Sequence, residues 1–184
     1  MEQRIITSSD IREFYPMVSI NIDDTNINPI IILAQQNDLE AYLGPFLYAD
    51  FVEDYDGDVF VTQKYIDLFK GKLYSEGGKN RYFRGVRQLL ALYATIRLIE
   101  HSDFYLTDTG MVQKITDESE AKEDYQVRSV MMKIKDDAIR LEADARTFIE
   151  ENQSDYPDFN KVYSTDTSYK FNKVIPTPRY TNYG

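Results

Sequence analysis

The chain has 184 residues, 42% of them hydrophobic, which suits one domain with an appendage and argues against two independent domains. It contains no cysteine, so disulfides, thiolate nucleophiles and thiolate-bound zinc are excluded. Because the formal net charge is −10, we expect repulsion from phosphate backbones, which disfavours tight direct DNA binding. Residues 1–11 lack the apolar run of a signal peptide, and no segment approaches the roughly 20 apolar residues of a membrane span. We therefore expect a soluble protein made in a cytoplasm.

Helix caps, chain breakers and apolar periodicity divide the sequence into predicted elements. Pro16 ends a first short helix, and Gly44-Pro45 breaks a longer one because proline cannot continue the helical hydrogen-bond ladder. Residues 77–78 are both glycine and predict a turn. In chain order, the predicted elements are a helix over 10–14 capped by Ser8 or Ser9, an extended arm or short edge strand over 18–23, a helix from Asn28-Pro29 to about 43, a helical piece over 46–53, an acidic loop over 54–58, helices over 62–74 and 81–101, a connector over 104–115, and a helix over 119–152.

Two long helices are expected to build the core. Residues 81–101 are apolar nearly all round, as in a helix surrounded by other helices, so we place them at the centre. In residues 119–152, apolar side chains recur at alternating steps of four and three, which indicates a packing seam within a bundle or between subunits. The seam comprises Val127, Met131, Ile134, Ala138, Leu141, Ala145 and Phe148. The predicted fold class is mainly α: a small helical bundle with a long C-terminal helix, a short extended connector that is irregular or a hairpin, and an extended C-terminal tail.

The tail, residues 158–184, differs from the rest of the chain. It holds six aromatic residues and two prolines without a helical period, and its four Lys/Arg against two Asp/Glu give +2, which leaves −12 for residues 1–157. Since a chain that cannot bury its aromatics gains nothing to offset its ordering entropy, we expect the tail to be buried against something. We predict a helical domain over 1–157 and an extended arm over 158–184, with folding back onto its own body as the alternative. The residues predicted to contact a partner are Tyr163, Tyr169, Phe171, Ile175, Tyr180 and Tyr183.

The acidic run around residues 54–58 is a candidate calcium loop that fails in detail. Counted from Asp54, an EF-hand needs glycine at the sixth position and glutamate at the twelfth, where this chain has Val59 and Tyr65. We therefore expect a solvated acidic loop.

The remaining candidate sites also favour structural roles. Residues 77–79 do not complete a phosphate-binding loop, because Leu73 stands where its first glycine belongs and Asn80 where its Ser or Thr belongs. His101, the only histidine, is expected to cap a helix C-terminus, and Met131 and Met132 are expected to be core. The 31 Asp and Glu residues are too many for any one pair to be singled out as catalytic. We accordingly predict no enzyme, no cofactor and no metal site.

Six segments occur in an order and spacing that is more specific than any of them alone. They are ITSSDI (6–11), INID (20–23), the helix over 30–39 with its AQ and DL pairs, YLGP (42–45), the core helix over 85–99 and TGMVQK (109–114). In this order they resemble a family of small phage neck proteins, the head-tail connectors or head-completion proteins of phages of Bacteroides-type hosts. The resemblance implies a small helical bundle of which typically twelve copies form a ring beneath the portal and extend the DNA channel. Family members often use an extended C-terminal segment to grip the portal or a neighbour, but this tail matches no motif.

The predicted function is that of a structural virion protein, made in the host cytoplasm and located in the neck at the portal vertex. Its expected partners are itself, in a homo-oligomeric ring of twelve copies, the portal protein and an adjacent neck or tail ring protein. Genomic DNA is expected to pass without specific binding, which suits an acidic wall, and no membrane is involved. The alternative is an acidic helical regulatory protein that binds a single host or phage partner.

Overall fold

A computed structural model describes residues 3–16, 23–102, 104–107, 110–113 and 124–159. The helical elements are α1 (Ser8–Phe14), α2 (Asp24–Ala34), a π-helical turn (Gln35–Leu39), α3 (Glu40–Leu43), α4 (Pro45–Glu53), α5 (Gln63–Lys70), α6 (Val86–Ser102) and α7 (Asp124–Glu151). The strands are β1 (Tyr55–Asp56), β2 (Val59–Phe60), β3 (Lys72–Glu76), β4 (Lys79–Phe83), β5 (Phe104–Thr107) and β6 (Gly110–Gln113). Within the described residues they form three two-stranded antiparallel sheets, β1–β2, β3–β4 and β5–β6.

The fold is therefore mixed α/β, and the prediction of a mainly α bundle is wrong. The largest difference lies between α5 and α6, where the sequence predicts helix up to residue 74 and again from residue 81. Instead, α5 ends at Lys70, and the next 13 residues form the β3–β4 hairpin and its flanks. Leu73 continues the apolar period of α5 in sequence, but its side chain points away from the core on β3. The predicted turn at residues 77–78 is confirmed, although it joins two strands.

Two glycines hold the base of the β3–β4 hairpin. Gly71 and Gly85 have φ angles of +86° and +83°, a region that favours glycine. A Cβ atom at Gly71 would lie 2.1 Å from the Phe83 carbonyl oxygen, and one at Gly85 would lie 2.2 Å from the Phe69 carbonyl oxygen. The backbone entering the hairpin thus touches the backbone leaving it, and any side chain there would force them apart.

Helix α6 is the centre of the core, as its all-round apolar sequence predicts. It packs against α1, α2, α5, α7 and the π-helical turn. Its buried residues include Val86, Leu89, Leu90, Leu92 and Thr95, whose hydroxyl donates to the Ala91 carbonyl at 2.8 Å. The predicted start at residue 81 is wrong because residues 79–83 form β4.

In the described part of α7, the apolar seam packs against other elements of the same chain. Ile134, Ala138, Leu141, Ala145 and Phe148 are buried, against α6 and the β3–β4 hairpin. The sequence predicts both Met131 and Met132 to be core, but Met131 is half-buried and Met132 is exposed. Adjacent residues on a helix lie about 100° apart, so they rarely share the core face.

The N-terminal helices begin earlier than their predicted caps. Thr7, rather than Ser8 or Ser9, caps α1 in a reciprocal capping box with Asp10. Helix α2 begins at Asp24, where the Asp23 side chain accepts from the Thr25 amide at 2.9 Å, so the predicted start at Asn28-Pro29 is wrong. Pro29 lies inside the helix on its exposed side.

The π-helical turn lies in the middle of the predicted helix over 28–43, and no sequence pattern predicts it. At its start, buried Gln35 accepts from the Ile5 amide and donates to the Gln3 carbonyl, each at 3.1 Å. These two bonds tie the N-terminal segment to the core, where Ile5 and Ile6 are buried. The predicted break at Gly44-Pro45 is confirmed, with proline opening α4.

The predicted acidic loop is a β-hairpin held by one of its own carboxylates. Asp54 accepts from the Val61 amide at 3.0 Å, from the Thr62 amide at 2.9 Å and from the Thr62 hydroxyl. The connector over 104–115 contains the hairpin β5–β6, one of the two predicted alternatives. The predicted strand over 18–23 falls almost wholly outside the described residues, as does the predicted start of the last helix before residue 124.

Candidate interaction site

The six residues predicted to contact a partner, Tyr163, Tyr169, Phe171, Ile175, Tyr180 and Tyr183, lie outside the described residues. The structure describes the point from which their segment departs. Tyr156 is fully buried, and its hydroxyl donates to the Lys64 carbonyl at 2.6 Å. Phe159 packs edge-on against Tyr42, with ring centroids 6.0 Å apart. The body therefore holds the chain as far as Phe159.

Two tyrosines join α7 to the π-helical side of the core. The Tyr93 hydroxyl donates to a Glu142 carboxylate oxygen at 2.6 Å, and the Tyr42 hydroxyl donates to the Glu142 carbonyl at 2.6 Å. Burial, followed by the hydrogen bond to Glu142, raises the pKa of Tyr93, and burial also raises the pKa of Tyr42. Both hydroxyls therefore stay protonated at neutral pH and act as fixed hydrogen-bond donors.

A shallow polar cleft of about 370 Å³ lies over these tyrosines. Besides Tyr42, Tyr93 and Glu142, it is lined by Arg146 and by Asp38 of the π-helical turn. Arg97 donates hydrogen bonds from its Nε and Nη2 atoms to the two carboxylate oxygens of Asp38. The tyrosine and aspartate contacts of this cleft thus brace helices against each other.

An apolar pocket of about 220 Å³ opens between the β1–β2 hairpin and α5. Its walls are Tyr55, Val59, Phe60, Ile66 and Phe69, and its rim carries Asp58 and Lys70. Phe60 stacks on Phe51 with centroids 4.5 Å apart and packs on Phe69 at 4.9 Å, so the floor of the pocket is a rigid aromatic cluster.

The outer face of the β3–β4 hairpin is a second apolar surface. Leu73 and Tyr82 are directly paired across the strands and are 67% and 61% exposed. The inner face is packed: Phe83 stacks on Phe148 at 4.3 Å, and Tyr74 meets Phe148 edge-on at 5.3 Å. The hairpin is thus anchored on one side and presents apolar side chains on the other.

A third apolar surface lies on α7. Met132 and Ile139 are exposed and are separated by seven residues, so they share the helix face opposite the buried seam. Sequence reasoning missed this surface and the hairpin surface because it expected Leu73 on a helix and Met132 in the core. The signals available were Met132 and Ile139 falling outside the four-three seam, and the glycines that bound residues 72–83.

The described residues contain no group of three or more His, Asp or Glu side chains placed to hold a metal ion. His101 lies exposed in the last turn of α6, where the predicted C-terminal cap would be. None of the helices in the described part of the chain combines the length and apolar character that crossing a membrane requires.

Comparisons with known proteins identify one family. Residues 39–168 match the profile of a family described as "Family of unknown function (DUF6712)", and because the match covers most of the chain, the chain belongs to this family. No curated protein and no solved structure matches the chain significantly. The matched residues include α3 to α7, and so the two apolar outer surfaces and the apolar pocket.

Proposed function

We propose that this member of the DUF6712 family is a non-enzymatic structural virion protein that assembles as a ring at the portal vertex. The ring has twelve copies, joins the portal to the tail and extends the channel through which genomic DNA passes. Its neighbours are the portal protein and an adjacent neck or tail ring protein.

The observation that carries the proposal is the pair of exposed apolar surfaces on different elements of one body. Leu73 and Tyr82 lie on the outside of a hairpin, and Met132 and Ile139 lie on the outside of α7. Scattered exposed apolar residues are ordinary, whereas contiguous ones mark contact surfaces, and Leu73 and Tyr82 are contiguous across the two strands. A ring needs a head-to-tail interface, in which one surface of a copy meets a different surface of the next. Two separate apolar surfaces satisfy that requirement.

Two further observations support the proposal. The order of six sequence segments resembles the phage neck connectors, and four of those segments lie wholly or partly within the matched family region. Residues 1–157 carry −12, so a channel lined by this body would repel phosphates and let DNA slide.

Particle mass tests the proposal directly. One chain has a mass of 21.5 kDa, so a twelvefold ring would weigh roughly 260 kDa. We expect light scattering coupled to size exclusion, with electron microscopy of the same fraction, to find a closed ring. A protein that stays monomeric or dimeric at every concentration tested would refute the ring and favour the single-partner regulator.

A matched pair of variants tests whether the hairpin surface takes part. Leu73→Asp places a charge on the exposed apolar pair, whereas Ser75→Asp places the same charge two residues further along the same strand face. We expect Leu73→Asp to shift the mass distribution towards monomers and Ser75→Asp to leave it nearly unchanged. Equal behaviour of the two variants would remove this surface from the interface.

A further inference from the structure

The apolar pocket beside the β1–β2 hairpin has the size to receive one aromatic side chain. Its volume of about 220 Å³ exceeds that of the roughly 150 Å³ cavity that admits a benzene molecule. Its walls are largely rings and branched aliphatic side chains, which suit the face and edge of another ring. We infer that this pocket receives Phe171 from the tail of a neighbouring copy, with Lys173 of that tail against the carboxylates of the rim.

Charge complementarity favours the tail as the occupant. Asp58 lies at the rim, and Asp56 is paired across the hairpin with Val59, so its side chain shares the face of that pocket residue. Asp58 and Lys70 are the charged residues that line the pocket, and Asp56 adds a second carboxylate beside it. The tail carries +2 and combines cations with aromatics, whereas residues 1–157 carry −12.

The spacing of the tail sequence relates Phe171 to the two lysines nearest it. In an extended segment, side chains two positions apart point to the same side and adjacent ones point to opposite sides. An extended tail that seats Phe171 in the pocket therefore directs Lys173 towards the acidic rim and Lys170 away from it.

Charge favours a neighbouring copy, and the arm is long enough to reach one. The body holds the chain as far as Phe159, and the 12 residues from 160 to 171 span at most about 40 Å. A compact body of this length has a radius of gyration of about 15 Å, so the arm can reach an adjacent copy. Neighbouring bodies repel each other through their net charge of −12, and a basic arm laid across the boundary offsets that repulsion. This inference rests on the proposed ring, because it names what joins the copies.

The pocket is tested in the full-length chain by Val59→Lys, with Val61→Lys as the matched control. Both residues are exposed, at 60% and 69%, and both lie on the same hairpin, but only Val59 lines the pocket. We expect Val59→Lys to raise the concentration needed for assembly by about tenfold or more, and Val61→Lys to raise it by less than about threefold. Trypsin should also cut the tail faster in Val59→Lys. Equal effects of the two substitutions would overturn the inference.

The tail side is tested by charge exchange. Lys173→Glu should weaken assembly more than Lys170→Glu, and Asp56→Lys combined with Lys173→Glu should restore it, because the pair of charges is then reversed. A double variant no better than the worse single one would show that these two side chains do not meet.

The source of the arm is tested by mixing two full-length single-cysteine variants, since the natural chain has no cysteine. Under mild oxidation, Val59→Cys mixed with Tyr169→Cys, which lies two positions from Phe171 and so on the same side of the tail, should give a disulfide-linked pair of chains, and Val61→Cys should give less. A third variant carries both cysteines in one chain. If this variant becomes cross-linked within itself and the mixed single-cysteine variants do not become linked, the tail folds back and the inference is wrong. A Val59→Lys protein that still forms rings, with its tail no more open to trypsin, would sink the inference and leave the proposed ring standing. A wild-type chain that never assembles would instead refute the ring itself.

Discussion

The buried ring of Phe148 joins three parts of the body, and its truncation gives a sharp stability prediction. Its ring is fully buried and contacts three other rings: Phe83 at 4.3 Å, Tyr74 at 5.3 Å and Tyr156 at 5.9 Å. It therefore joins α7 to the β3–β4 hairpin and to the turn from which the tail departs. Phe148→Ala should leave a cavity among all three.

The expected loss is large relative to the stability of an ordinary domain. Truncating a buried phenylalanine to alanine costs about 3–5 kcal/mol, and the loss of three aromatic contacts places this site near the upper end of that range. Since domains are stable by about 5–15 kcal/mol, the variant should lose a third or more of its stability.

The measurement is urea denaturation followed by far-ultraviolet circular dichroism at one fixed protein concentration. Thr147→Ala is the matched control: it changes the adjacent residue of α7, whose half-exposed hydroxyl donates only to the Ala143 carbonyl at 3.0 Å, and should cost about 0.5 kcal/mol or less. A loss below about 1 kcal/mol for Phe148→Ala would refute the idea that this ring joins the three elements.

Four further predictions follow from other parts of the chain. Burial, and then the Asp137 carboxylate, raise the pKa of Tyr15 to about 12, so the stability that its protonated hydroxyl contributes is complete below pH 10 and is lost as the pH rises towards 12. The difference in tyrosinate absorbance between the wild-type chain and Tyr15→Phe should titrate near pH 12, and a step near pH 10 would contradict this. Deleting residues 160–184 should leave helical content and melting temperature nearly unchanged, because the caps and packing seams lie upstream, and a truncated chain that fails to fold would place the tail in the core. Mutating Tyr169 and Phe171 together to alanine should weaken assembly or portal attachment by about 2–4 kcal/mol while the body stays folded, and normal assembly with the tail protected on its own chain would favour fold-back. Duplex DNA should not bind appreciably at physiological salt, and micromolar binding that weakens steeply with added salt would overturn the conduit argument.

The parts of the fold that follow from the sequence are those where one local signal dominates. Gly44-Pro45 breaks the helix as predicted, because proline is suited to opening a helix and cannot continue one. Helix α6 is central because its all-round apolar sequence needs burial on every side.

The parts that the sequence did not predict depend on contacts between distant residues. The end of α5 is fixed by the meeting of two backbones at Gly71 and Gly85, which lie 14 positions apart. The π-helical turn holds Gln35 against the N-terminal segment, 30 residues away, and no local pattern records that bond. The candidate surfaces were missed for a related reason: the apolar character of Leu73 is visible in the sequence, but the direction of its side chain depends on the register of the hairpin.

The close contact at Gly71 and Gly85 fixes the orientation of the hairpin as well as its base. Because the incoming and outgoing backbones touch, and because they connect directly to α5 and α6, the hairpin cannot swing on its stem without moving both helices. The orientation of the hairpin is therefore fixed relative to α5 and α6. An interface built on Leu73 and Tyr82 would accordingly impose one angle between successive copies, and that angle would decide how many copies the proposed ring needs before it closes.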